Sequence, residues 1–125
     1  MSIKSPSLIV YHNQEIVFQS DEKWLYPLFS LEDFLDNHPI NMSQVLIHDK
    51  VIGKAAAMLI TRFGPGRVHG VVMSKLAMAF FEQVGIPYTF DQAVKRIQCK
   101  TETILHDIDD IEQAYQILCQ RVKRQ

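Results

Sequence analysis

Only two cysteines, Cys99 and Cys119, occur in the 125 residues. That excludes a disulfide framework, and neither cysteine stands at ligand spacing from a histidine. The five histidines, His12, His38, His48, His69 and His106, fall on separate elements, so no zinc site is expected. The longest apolar run, Ala55 to Ile60, is far shorter than the roughly 20 residues that cross a bilayer. The opening Met1-Ser2-Ile3-Lys4-Ser5-Pro6 has no apolar core of the kind secretory signals carry. The expectation is a cytoplasmic chain with free thiols, no membrane partner and no bound metal. Charge of one sign is also missing: 13 basic against 14 acidic side chains leave a net charge of −1, too little positive surface to neutralise a nucleic-acid backbone. No nucleic-acid partner is expected. No complete cofactor fingerprint occurs either, and no cofactor is assigned.

What is present is apolar residues, at 47 % of the chain, enough to build a core. The length fits one domain over residues 1–125. Ser7 to His12 and Glu15 to Gln19 are β-branched and aromatic runs joined by Asn13-Gln14, the pattern of a hairpin. Pro27 opens an amphipathic helix carrying Leu28, Leu31, Phe34 and Leu35 at helical spacing. Val45-Leu46-Ile47 reads as a short central strand ending at His48-Asp49-Lys50. A helix from Ile52 to Phe63 with almost no polar face is stopped by Gly64-Pro65-Gly66. Val68 to Met73 is a further buried strand, and Ser74 is placed to cap a helix containing Leu76, Phe80, Phe81 and Val84 before Gly85 ends it. Pro87 to Phe90 is read as a short edge strand, with Asp91 capping a brief helix over Ala93, Val94 and Ile97. Asp109 with Glu112 has the form of a capping box for a last helix bearing Ile111, Ala114, Leu118 and Val122. Strands alternating with helices imply a three-layer α/β/α domain, parallel after the first hairpin.

In open α/β sheets, ligands bind beyond the carboxyl ends of the strands, where helix N-termini present unpaired N–H groups. Two such openings occur. One is His48-Asp49-Lys50-Val51-Ile52-Gly53-Lys54, with an acid, a glycine and a lysine in close succession. The other is Met73-Ser74-Lys75. On adjacent parallel strands both would reach one rim, making Lys50, Gly53, Lys54, Ser74 and Lys75 the candidate ligand-binding residues for a small anionic or nucleotide-like molecule. Were the domain an enzyme, Cys99 is the candidate nucleophile, with Asp49 or Glu102 moving protons and Lys54 or Lys75 lowering the thiol pKa. A structural reading competes at each position: Ser74 as a cap, Lys54 as a snorkelling lysine, Cys99 as a small buried hydrophobe. On that alternative the chain is a non-catalytic interaction or regulatory domain, acting as a homo-oligomer.

The opening Leu8-Ile9-Val10-Tyr11, the string Asp49-Lys50-Val51-Ile52-Gly53-Lys54-Ala55-Ala56-Ala57, Ser74, Gly85-Ile86, Cys99 to Glu102 and Asp109-Asp110 together resemble a small bacterial family of domains of unknown function with a cytidine-deaminase-like fold. The resemblance implies a five-stranded mixed sheet of order 2-1-3-4-5 and possible oligomers. Deaminases of that fold place H-x-E or C-x-E and P-C-x-x-C at successive helix starts. Here Gly53-Lys54-Ala55 and Met73-Ser74-Lys75-Leu76-Ala77 are matched to those starts, and they supply neither zinc ligands nor the glutamate. The resemblance therefore carries the fold and a ligand pocket, not hydrolytic deamination.

Overall fold

The computed structural model of the chain describes residues 6–97, 105 and 107–122. Two antiparallel strands, β1 (Leu8–His12) and β2 (Glu15–Ser20), open the domain. Their two-residue turn holds Asn13 at φ 52° and Gln14 at φ 73°, the backbone that matches the right-handed twist of a tight hairpin. Helix α1 (Tyr26–Asn37) has Pro27 in its first turn and buries Pro27, Leu28, Phe29 and Leu31. Then β3 (Val45–Ile52), α2 (Lys54–Phe63), β4 (Arg67–Ser74), α3 (Lys75–Val84) and β5 (Tyr88–Val94) follow as alternating units. Helix α4 (Ile111–Arg121) comes last.

The architecture is three-layer α/β, and its sheet has the order β2-β1-β3-β4-β5, as expected. β1 is antiparallel to both neighbours, whereas β3, β4 and β5 run parallel. Helix α2 is the hub of the helical part, packing on α3 and α4 and touching α1. It buries seven consecutive residues, Lys54 to Ile60, in keeping with a sequence that offers almost no polar face. Gly64 and Gly85 end α2 and α3 in the left-handed conformation, at φ 68° and 83°, which spares the Cβ clash another residue would meet.

Paired residues line up in rows across the sheet. One row runs Phe18, Val10, Ile47, Val68, Tyr88. Two residues along each strand, the next runs Ser20, Leu8, Asp49, Gly70, Phe90. In the first row Val10, Ile47 and Val68 are fully buried. In the second, a carboxylate stands at the centre.

Three expectations are corrected. The third strand does not stop at Ile47 but continues to Ile52, so His48, Asp49 and Lys50 are strand residues and not a loop. Asp91, Ala93 and Val94 belong to β5 and not to a helix, because pairing with β4 through Ser74 overrides a weak local helix pattern. At α4 the capping side chain is Asp110, which accepts from the Gln113 N–H at 2.9 Å, while Asp109 is used elsewhere.

Candidate ligand site

Asp49 is reached by simple alternation. Val45 and Ile47 point inward on β3, and two residues later so does Asp49. Its cross-strand neighbours are Leu8 and Gly70, neither of which has charge or a side-chain donor. The residue is only 9 % exposed, and burial pushes its carboxyl from 3.8 up to about 7, with the backbone amides of Lys50 and Val51 pulling the other way. Desolvation is the larger effect, and the amides offset it only in part.

Above this carboxyl lies a cavity of about 410 Å³, within the range of small-molecule sites. Asp49, Lys50 and Gly53 form one side of it, Ala55 and Ala56 contribute the first turn of α2, and Lys23 and Trp24 close it from the segment before α1. Gly53 precedes α2 without any side-chain cap, and the first intrahelical bond is Ala57 N–H to Gly53 C=O at 3.0 Å. The opening amides of α2 thus border the cavity, with the positive end of the helix dipole beside Asp49.

The segment before α1 is tied down. The Glu22 carboxylate accepts from the Ser20 hydroxyl at 3.3 Å and also from the Ser30 hydroxyl on α1. Its carbonyl accepts from the Ser7 hydroxyl at 2.6 Å. Trp24, held next to this anchor, has φ 59°, a strained conformation for a bulky residue. The residue is 44 % exposed, and its ring meets the Tyr26 ring edge-on at 5.5 Å. An aromatic wall is thereby presented at the cavity mouth.

Of the residues proposed from sequence, the structure brings Asp49, Lys50 and Gly53 together on this cavity. Lys54 is the next residue but is not among those lining it. Its side chain is 7 % exposed and its ammonium lies 3.0 Å from Asp109, which fastens the approach to α4 onto the start of α2. Ser74 is fully buried and accepts from the Ala77 N–H at 3.1 Å, so it is the α3 cap. Lys75 is exposed. The helix starts that share the cavity are therefore those of α1 and α2, and not those of α2 and α3. Cys99 and Glu102 lie outside the described residues. Sequence reading missed Trp24; its position just ahead of Pro27, the helix-opening residue, was the available signal. Ser74→Ala is expected to cost about 1 kcal/mol through the lost cap, measured by urea unfolding, and to leave ligand-dependent properties of the Asp49 cavity unchanged.

A larger, more open depression of about 600 Å³ lies at the other end of β3, bordered by Asn13, Gln14, Ser43, Gln44 and Arg67. None of its lining residues is a buried titratable group, so size alone does not make it the better site. Among the described residues no group of three or more His, Cys, Asp or Glu side chains is arranged to hold a metal ion, and none of the described helices is long and apolar enough to cross a membrane. The described residues lining the cavity include one buried aspartate and no histidine or cysteine.

The fold and the cavity define a class: an α/β domain of mixed 2-1-3-4-5 sheet with a buried carboxyl on the strand that leads into a crossover helix. A family profile, TM1506: Domain of unknown function (DUF1893), matches residues 2–122, and the chain belongs to that family. The crystal structure of the DUF1893 protein TM1506 from Thermotoga maritima is similar over 93 % of this chain and 80 % of its own, with 26 % sequence identity and a TM-score of 0.84. No curated protein matches the chain.

Proposed function

We propose that this domain binds a small nucleotide-like molecule in the cavity bordered by Asp49, Trp24 and the first turn of α2. The observation that carries the reading is the buried Asp49 carboxyl bordering the cavity, because backbone amides offset its desolvation only in part and carboxyls held in this way concentrate at binding sites. The other features agree with it. A planar ring fits beside the Trp24 indole, the uncapped amides of α2 offer donors to ring acceptors, and Lys23 and Lys50 stand at the rim where a phosphate would emerge. The cytidine-deaminase-like fold, without zinc, is part of the same reading: helix starts along one sheet margin form the pocket, while the chemistry that zinc would supply is not assigned.

The test is a thermal-shift screen of nucleosides and nucleotides on wild type, Asp49→Asn and Trp24→Ala. A ligand at 100 times its dissociation constant stabilises by about 2.7 kcal/mol, and that shift is expected to fall in both variants. A panel that leaves wild type unmoved, or a shift equal in all three proteins, overturns the reading.

A further inference from the structure

Resting on that reading, we infer that the part of the ligand buried against Asp49 is a planar group carrying N–H donors, of the amidine or amino-substituted heterocycle type, and that any acidic part of the same ligand points outward. The argument is one of complementarity. Asp49 sits between Leu8 and Gly70, so neither strand neighbour supplies a counter-charge. Val51 and Gly53, which follow it toward the cavity, bring no charged side chain either. Lys54, the nearest residue able to provide one from α2, has its ammonium 3.0 Å from Asp109. Among the described residues, the remaining charged ones on the cavity are Asp21, Glu22 and Lys23 from the segment before α1, and Lys50 from β3. Counted with Asp49, the described acids outnumber the described lysines there by three to two. An incoming carboxylate or phosphate would meet a second buried acid and would force it to hold its proton. A planar donor edge meets an acceptor instead, and a carboxylate that accepts two N–H bonds from one flat group gains the stronger, charge-assisted geometry. The opening amides of α2 then remain for an acceptor on the same ring, and Trp24, which lines the same cavity, offers an aromatic surface beside it.

Titration gives the inference a signature. The Asp49 carboxyl, raised to about 7 by burial, is largely neutral at pH 5.5 and largely ionised at pH 8.5, while an amidinium keeps its charge throughout. The described lining residues include no histidine, so Asp49 is the group expected to change in that window.

The probes are benzamidine and benzoate, alike in shape and opposite in charge, followed by shifts of the Gly53 to Ala56 amides and the Trp24 indole in NMR titrations. Benzamidine is expected to bind roughly thirtyfold more tightly at pH 8.5 than at pH 5.5, the ratio of ionised Asp49 at the two values. Asp49→Asn is expected to weaken it at pH 8.5 and to flatten the profile. Benzoate is expected to leave these signals in place. Benzoate binding as well as benzamidine at pH 8.5, or a benzamidine affinity indifferent to pH or to Asp49→Asn, overturns the inference. If benzamidine fails in this way while nucleosides still shift the wild type in an Asp49-dependent manner, the binding site stands and only its assigned polarity falls; if neither acts, both fall.

Discussion

Asp49→Asn is expected to make the protein more stable at pH 8, by about 2 to 4 kcal/mol, and to leave it about as stable as wild type near pH 4. The direction follows from which state holds the proton. In the unfolded chain Asp49 ionises with its ordinary value of 3.8, and in the folded one it ionises at about 7. Between those values the folded state binds more protons than the unfolded one, so stability from this group is greatest below about pH 4 and declines as pH rises to about 7, beyond which it is flat. Three units of difference correspond to about 4 kcal/mol. Asparagine keeps the shape and an acceptor oxygen for the backbone amides of Lys50 and Val51, and removes the charge. The lower end of the range allows for its NH₂ group, which must find a partner in the cavity. Urea unfolding of both proteins at pH 4 and pH 8 measures the effect. A variant less stable than wild type at pH 8 would mean that the carboxylate is held by contacts strong enough to repay its desolvation. A stabilising loss of a side chain is also the pattern expected where a residue serves a ligand at the expense of the fold.

The second large effect is at Gly66. A Cβ built there would lie 2.2 Å from the Ser43 carbonyl oxygen and 3.0 Å from its carbon, both backbone atoms that cannot rotate away. The same residue donates its N–H toward the carbonyls of Met42 and Val45, at 2.9 and 3.0 Å, so the approach is fixed from both sides. Gly66→Ala is expected to cost about 3 kcal/mol or more, lowering the melting temperature by roughly 10 °C. Gly64→Ala is the comparison. Gly64 has open space around its Cβ position and φ 68°, so its loss is limited to the conformational penalty of roughly 1 kcal/mol. Calorimetry on the pair separates steric closeness from backbone preference, and equal melting temperatures would contradict the tight packing of the turn ahead of β3 against the start of β4.

Residues 64 to 66 also show how far local sequence goes. Gly-Pro-Gly after a helical run marks a stop on general grounds, and the helix does end there. That its last glycine is needed for contact with Ser43, twenty-three positions earlier, has no local signature. Asp49 is an intermediate case. The alternation Val45, Ile47, Asp49 is present in the sequence and places the carboxyl on the core face once the strand is allowed two more residues. A charged residue argues against extending a buried strand, and the reading stopped short for that reason. Functional positions break local rules in this way, which is why they resist pattern reading. For Lys54 the sequence signal was a cation at a helix start, opposing the dipole. Its explanation came from Asp109, fifty-five residues away.

The opening hairpin, the strand-helix alternation up to the fifth strand, the parallel strands after the hairpin and the largely apolar second helix were determined by the sequence, because hydrophobic period, turn residues and helix stops are local, and crossover handedness leaves few ways to connect them. Tertiary structure alone decided which helix starts converge. It set Trp24 over the cavity, sent the Lys54 ammonium to Asp109, gave Ser74 to its own helix and left Asp49 between a leucine and a glycine. Those outcomes depend on registers and long-range contacts, and charge at a buried position takes its meaning from neighbours that are distant in the chain.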